Sequence, residues 1–338
     1  MTNIKTAVLL VNVGTPDAPT VKAVRQYLSE FLNDKRVIDL PFMIRKLLVN
    51  LIIVPFRAPK SARLYQRLWT TEGSPLLYIS ERVQAALQQK LDSRADVFLS
   101  MRYGNPSIDK ALASIQQTGY ERLIVLPLFP QYASSTSETA IQAVLARMQN
   151  WKQKPEVQLI KQFYDRPAFL DALTVQIRAA QPEKYDHVVF SFHGLPNRHL
   201  DKNHPAHSFL TCTCKDSMPE HGEFCYKATC FQTARQLVTR LGLTPRQYSV
   251  SFQSRLSKDW MTPFTDQTLV KLSKQGVKKI LVVAPSFVMD CLETTIEIGE
   301  EYRELFIANG GEELRLVEGL NDSSQWISAL EKIVEEYV

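Results

Sequence analysis

The sequence predicts an α/β fold of two similar halves, each a parallel sheet flanked by helices. Three observations predict it. Apolar runs at 7–13, 123–128, 188–190 and 280–284 have the length and β-branched content of buried strands. Helical patterns of ten or more residues alternate with the strand-like runs, which is the grammar of βαβ units. The stretch 123–139, LIVLPLFPQYASSTSET, is echoed by 280–294, ILVVAPSFVMDCLET: an apolar strand, a proline, a phenylalanine two on, and Glu-Thr opening a helix. The two spacings differ by three residues, so common βα grammar is the alternative to duplication.

Residues 7–13 form the first predicted strand, closed by the turn Gly14-Thr15-Pro16-Asp17 and followed by a helix through Val24, Tyr27, Leu28 and Phe31. Residues 36–40 lead into 42–56, FMIRKLLVNLIIVPF, an amphipathic segment closed by Pro55 and Pro59 that covers a core or touches a membrane surface. Helices are predicted at 62–68 and 80–91, with a break at Gly73-Ser74-Pro75, then a strand at 97–101. A helix at 107–117 stops at Gly119. Strand 123–128, helix 137–148, strand 157–163 and helix 169–179 complete the first half. The second half repeats the pattern: strand 188–190, helix 231–241, strand 247–252, helix 265–274, strand 280–284, helix 294–307, strand 314–317 and helix 323–337. At 338 residues the chain has room for two domains, taken as 1–165 and 166–322 with the boundary within 162–171.

Composition narrows the function classes. The 45% hydrophobic and 22% charged content is that of an ordinary soluble protein. A net charge of +5, with no long like-charge block, argues against nucleic acid as a partner. No small-residue cleavage site follows the first apolar run and no stretch is long and apolar enough to span a bilayer, so a cytoplasmic protein is expected.

Two stretches could carry chemistry. In YDHVVFSFHGLP, 185–196, the strand stops at Ser191-Phe192-His193-Gly194, which places His193 at the carboxyl end where open α/β sheets bind ligands. A histidine that merely caps the strand is the equal alternative on this segment alone. In VMDCLETTIEIGEEYRE, 288–304, Asp290 can cap a helix carrying Glu293, Glu297 and Glu301 at four-residue spacing, with Glu300 beside them. Such a stripe usually means a solvated face. Here it follows a strand at the ligand-binding end, and its like charges repel with few lysines to offset them. Carboxylates with a neutral imidazole suit a loosely held divalent first-row metal.

The motifs VNVGTPD, SMRYG, PLFPQY, SFHGLP, FQSR and DCLETTIE, spread from about 7 to 306, resemble the ferrochelatases. LLVNVGTPDAPT, FLNDKRV and DCLET resemble their Gram-negative branch, which acts on protoporphyrin. The resemblance implies two Rossmann-like halves facing each other across a porphyrin cleft, with the C-terminal helix, 323–338, returning to the first half. It implies insertion of Fe2+ into a porphyrin, the last step of haem synthesis, by His193 and Glu293 as iron ligand and proton acceptor in an unassigned order. Glu297, Glu300 and Glu301 would relay metal or protons. Porphyrin contacts would come from Val13, Ser74, Arg102, Tyr103, Tyr132, Trp260 and Phe287, and residues 38–56 would form the lip over the ring. Phe287 and Trp260 could equally be core. The loop LSKDW before Trp260 is one residue shorter than is common in the family. Val13 stands where branches acting on coproporphyrin carry tyrosine, which favours protoporphyrin IX over coproporphyrin III.

Four of the five cysteines, Cys212, Cys214, Cys225 and Cys230, fall in SFLTCTCKDSMPEHGEFCYKATC, residues 208–230. Their number matches a [2Fe–2S] cluster or a Zn2+ tetrathiolate, and their spacing is neither a zinc-ribbon nor a plant ferredoxin pattern. The resemblance to bacterial ferrochelatases with a four-cysteine insertion implies [2Fe–2S] first, zinc second and free or disulfide-forming cysteines third. His204, His207 and His221 are further donors. A non-catalytic haem or metal carrier of the chelatase fold is the competing function, and it would not need His193 with Glu293. A cobalt or nickel chelatase for another tetrapyrrole is a third. The sequence leaves monomer and homodimer open and allows peripheral contact with an inner membrane.

Overall fold

The computed structural model describes residues 5–201 and 212–338. His204 and His207 lie outside them. Contacts divide the chain into two units: the residues up to Phe129 with Ser134–Gln162 and Asp322–Val338, and Pro130–Ala133 with Phe163–Asn321.

The first unit begins with β1 (Thr6–Thr15), whose alternating and non-alternating positions are nearly all buried, as a central parallel strand requires. α1 (Val21–Leu32) follows, capped by the Thr20 side chain accepting from the Ala23 N–H. Then come α2 (Phe42–Leu47), a π-helical turn (Leu48–Ile53) and α3 (Val54–Leu68) as one continuous rod. The expected breaks at Pro55 and Pro59 do not occur. Pro55 stands where the π-helical turn passes into α3 and Pro59 lies inside α3, so the rod carries both at the loss of their backbone donors. α4 (Pro75–Leu91), β2 (Asp96–Gly104), α5 (Ile108–Thr118), β3 (Arg122–Pro127), α6 (Thr139–Met148) and β4 (Glu156–Leu159) complete the unit. All pairings are parallel, in the order β2-β1-β3-β4.

The second unit holds α7 (Pro167–Ala179), β5 (His187–His193), α8 (Asn197–Asp201), α9 (Tyr226–Leu241), β6 (Tyr248–Gln253), α10 (Thr265–Lys274), β7 (Lys279–Val283), α11 (Arg303–Ala308) and β8 (Glu313–Leu316). Its order, β6-β5-β7-β8, is that of the first sheet strand for strand, and again all parallel. The chain therefore reverses direction between β5 and β7, and the carboxyl ends of those two strands form a switch point of the kind that binds ligands. The echoed segments are the third strand of each sheet, and in both a π-helical stretch follows: Ser134–Glu138 after β3, Leu292–Tyr302 after β7.

α12 (Ser324–Glu335) belongs to the first unit and lies along α4. It buries Trp326, Ile327, Leu330 and Ile333, while Arg94 donates to Glu331 (2.8 Å) and Glu335. Among the described residues, no helix is long and apolar enough to cross a membrane.

The 42–56 segment covers the core with only part of its apolar side chains, Val49 and Val54, at 0% and 2% exposure. Phe42, Met43, Ile44, Leu47, Leu51, Ile52 and Phe56 are all exposed, Phe56 by 75%. It also buries Arg45, 7% exposed, whose guanidinium donates to the Leu40 carbonyl at 2.6 Å.

Candidate active site

His193 ends β5, opposite Gln253 at the end of β6. Gly194 must follow it, because a Cβ there would meet the Gln253 carbonyl at 2.9 Å. The His193 Nδ1 lies 2.6 Å from the Gly194 carbonyl. A carbonyl only accepts, so in the neutral ring Nδ1 carries the proton and Nε2 keeps the lone pair. The ring stands 6.4 Å from Trp260 and 6.2 Å from Phe287, centre to centre. Trp260 is brought there by pairing of the loop with the stretch after β5: it bridges Pro196, and the Met261 N–H donates to the Leu195 carbonyl. Phe287 arrives from the loop after β7. Three residues far apart in sequence thus meet at one strand end.

The carboxylate stripe lies on the π-helix Leu292–Tyr302, not on the expected α-helix. Such wider turns occur frequently at functional sites. Cys291 caps it: the sulfur accepts from the Thr294 backbone and Thr294 Oγ1 accepts from the Cys291 N–H. Burial pushes the Cys291 thiol well up, and its hydrogen bond to Glu293 adds to this. Ile298 anchors the other side in the core with Val282 and Leu314. Glu293, Glu297 and Glu300 are half-buried and Glu301 is exposed.

Gln253 joins the two stretches. Its Oε1 accepts from Ser191 Oγ at 2.7 Å, and its Nε2 donates to the Glu293 carbonyl at 3.0 Å. Next to it, Ser254 has φ 62°, a left-handed conformation unfavourable for a residue with a Cβ. That conformation aims its N–H (2.8 Å) and Oγ (2.5 Å) at the Glu297 carboxylate, which also accepts from Tyr302 Oη at 2.7 Å. Strain held by several fixed bonds is a mark of functional positions.

In the first unit, Arg102 and Tyr103 end β2 side by side, the guanidinium 4.4 Å from the tyrosine ring centre. Both turn to Asp34, which also accepts from Thr139 Oγ1 and from the Arg36 N–H at 2.7 Å. Burial alone would raise the Asp34 pKa, but these bonds and the Arg102 charge hold it below the usual carboxylate range. Tyr103 is 1% exposed, and burial pushes its hydroxyl pKa far up. Ser74 is buried, sharing its hydroxyl with Thr15 at 2.8 Å. Val13, near the end of β1, is half-buried. Tyr132 belongs to the second unit, where its ring packs edge-on against Phe224 at 5.2 Å.

Among the cysteines, Cys214, Cys225 and Cys230 are fully buried, Cys212 is half-buried, and none is in a disulfide. Cys214 and Cys225 pack together with Cys212 and Met218 beside them. A hydrogen bond from Cys214 lowers the Cys225 pKa, and the same bond, then burial, raises that of Cys214. His221 Nε2 stands 3.6 Å from Cys212 Sγ. Yet among the described residues no group of three or more His, Cys, Asp or Glu side chains stands where it could hold a metal ion. The donor chemistry therefore suits a thiolate-bound metal group, while the side chains as they stand do not close around an ion.

Several supporting residues escaped sequence reading. Gln253 and Ser254 lie in FQSR and Asp34 in FLNDKRV, motifs that drew attention without a role for these positions. Tyr226 lies between Cys225 and Cys230 without a motif of its own. The lone cysteine, Cys291, gave no signal before its capping geometry was seen.

The ferrochelatase family model matches residues 5–338. Curated ferrochelatases similar to the chain include that of Coxiella burnetii (strain CbuG_Q212), 44% identical over 99% of this chain and 94% of that protein. Those of Pseudomonas fluorescens (strain Pf-5) and Legionella pneumophila (strain Paris) are each 43% identical, covering 97% and 97%, and 99% and 100%, of the two chains. Among solved structures, SirB from Bacillus subtilis with Fe3+ aligns with a TM-score of 0.56 at 12% identity, over 98% of this chain and 95% of that one. CbiX, the terminal enzyme of sirohaem biosynthesis in denitrifying bacteria, aligns at 0.50 and 11%, over 98% and 99%. At such identities these two establish the two-sheet fold alone.

Proposed function

The chain belongs to the ferrochelatase family and is an enzyme that inserts a metal into a porphyrin in haem synthesis; on that premise we propose that Fe2+ and protoporphyrin IX react at His193 and Glu293. The observation that carries this is the Nδ1 contact of His193, which leaves Nε2 as the ring's atom with an available lone pair. Insertion exchanges two pyrrole N–H protons for one M2+. An imidazole with a lone pair at neutral pH can take one of those protons or ligate the entering ion. Glu293 opens the π-helix, and Glu297, Glu300 and Glu301 run from half-buried to exposed along it, a path by which metal enters or protons leave. Glu297 is fixed by Ser254 and Tyr302, so the relay has one rigid member.

Trp260 and Phe287 give His193 apolar neighbours against which a porphyrin face can lie. Bending the ring to expose its lone pairs is strain that binding at such remote surfaces supports. We assign propionate and edge contacts to Arg102, Val13 and Tyr132, and a supporting place behind them to Tyr103 and Ser74, which are 1% and 2% exposed. The Asp34 pairing makes Arg102 an oriented charge, and the burial of Ser74 and Tyr103 makes them its framework. An anaerobic insertion assay with Fe2+ should run faster on protoporphyrin IX than on coproporphyrin III. Equal or faster turnover of the four-propionate substrate would overturn the substrate reading.

The four cysteines are assigned as ligands of a [2Fe–2S] cluster, with Zn2+ as the alternative. When bound, such a cluster would supply redox or iron-sensing chemistry, which metal insertion itself does not require. Replacing Cys214 with serine should abolish visible absorbance and cluster iron and lower the melting temperature; unchanged values would refute the assignment. The exposed apolar rod is assigned as the porphyrin lip and as a peripheral membrane contact. Leu51→Glu with Phe56→Glu should reduce co-sedimentation with lipid vesicles, and undiminished binding would remove the membrane role.

A further inference from the structure

The Arg102 guanidinium is already held on two of its three nitrogens within the first unit. Nε donates to Thr139 Oγ1 at 2.9 Å and to the Thr139 carbonyl at 3.2 Å, and Nη2 donates to Asp34 Oδ2 at 2.5 Å. Nε and Nη2 make one of the two forks by which arginine grips a carboxylate, and here that fork is filled. Among the described residues Nη1 has no hydrogen-bond partner. Geometry thus leaves Arg102 room for one further carboxylate.

Asp34 also answers the charge. Its Oδ2 accepts from Arg102, Tyr103 Oη (3.0 Å) and Thr139 Oγ1, and its Oδ1 accepts from the Arg36 N–H at 2.7 Å. These bonds keep the carboxyl ionised. The two side chains are 6% and 18% exposed, so water screens their attraction little. Opposite charges in direct contact act beyond a few ångströms as a dipole, with no net charge. The neighbouring strand end adds no polarity. β1 and β2 run in register with Asn12 beside Met101 and Gly14 beside Tyr103, which sets Val13 beside Arg102. Both are half-buried, and the valine offers a carboxylate nothing.

We propose that Asp34 is a specificity-determining residue: by cancelling the Arg102 charge, it lets the β1–β2 edge hold one propionate while giving no attraction to porphyrins with more carboxylates. The proposal rests on the reading of Arg102 as a contact of the porphyrin edge. Selectivity is a difference of affinities, and withheld attraction serves it as well as added contact does. A bare arginine would favour the four-propionate ring over the two-propionate one. Beside a neutral pair, the extra carboxylates lose water without a compensating charge.

The test is made on the full-length protein, by anaerobic Fe2+ insertion into protoporphyrin IX and coproporphyrin III. Asp34→Asn keeps an oxygen that accepts from Tyr103 and Thr139 and removes the negative charge. It is expected to lower the KM for coproporphyrin III, relative to that for protoporphyrin IX, about tenfold, the scale of one partly screened charge pair. The shift should be largest at low salt and fade as salt is added. The double variant Asp34→Asn with Arg102→Gln, again a neutral pair, should return the KM ratio to the wild-type value. An unmoved ratio in Asp34→Asn, or a double variant that keeps the shifted ratio, would overturn the proposal. If Asp34→Asn does not fold alone, the double variant decides: a wild-type ratio supports the proposal and a shifted one overturns it. The underlying reading fails on a different result. Arg102→Gln with KM unchanged for both porphyrins removes Arg102 from the porphyrin edge, and the proposal falls with it. A raised KM in Arg102→Gln with an unmoved ratio in Asp34→Asn removes the proposal alone.

Discussion

His193→Ala is expected to lower the kcat of anaerobic Fe2+ insertion by about 10²–10⁴-fold, the range for loss of a positioned acid–base group. The ring stands at the β5 end, and its Nδ1 is committed to the Gly194 carbonyl. Removing it deletes the lone pair at Nε2 and leaves the backbone bonds of Gly194 and Tyr226 in place. The melting temperature should therefore change little while turnover collapses. Comparison with Glu293→Gln assigns the two roles. The variant whose KM for Fe2+ rises has lost the metal ligand, and the one whose kcat alone falls has lost the proton acceptor. Wild-type activity in His193→Ala would refute the mechanism.

The largest effect on stability is expected from Asp34→Ala. The Asp34 side chain is 6% exposed and that of Arg102 18%, and Tyr103 and Thr139 also depend on the carboxylate. Removing one partner of such a pair leaves the other charge uncompensated, at about 3–5 kcal/mol. Against a total of about 5–15 kcal/mol that is a large fraction. Urea unfolding should show a lower midpoint with an unchanged slope; an unchanged midpoint would contradict it. The pH dependence has a definite sign. The folded pKa of Asp34 lies below its unfolded value, so its contribution is full above the ordinary aspartate range. It is lost as pH falls from that range through the lower folded value. The difference in stability between wild type and Asp34→Ala should therefore shrink in acid.

Much of the architecture could be read from periodicity, because buried parallel strands advertise themselves as unbroken apolar runs such as LIVLP and VVFSF. What escaped was local geometry set by tertiary contacts. The stretch 292–302 has a good α-helical pattern, yet its carbonyls bond one residue further on, with Ile298 drawn to the sheet and Glu297 to Ser254. The rod at 42–68 runs through two prolines, Pro55 at the junction of the π-helical turn with α3 and Pro59 inside α3, where the sequence alone predicts a stop. His193 and Glu293 could be picked out because each follows a strand. Asp34, Gln253 and Tyr226 could not, since a buried hydrogen-bond partner has no periodic signature and becomes visible only through what it holds.

The pairing of α12 with α4 makes one unit discontinuous in sequence and the other nearly continuous. On a ribosome, residues 163–321 emerge together and can complete their sheet at once. The earlier-made sheet must wait, with the groove that receives Trp326, Ile327 and Leu330 still open, until the final helix is released. Nascent chains halted before residue 324 should thus present a finished second unit and an unfinished first one. That order makes the N-terminal unit, although synthesised first, the one in greater need of chaperones.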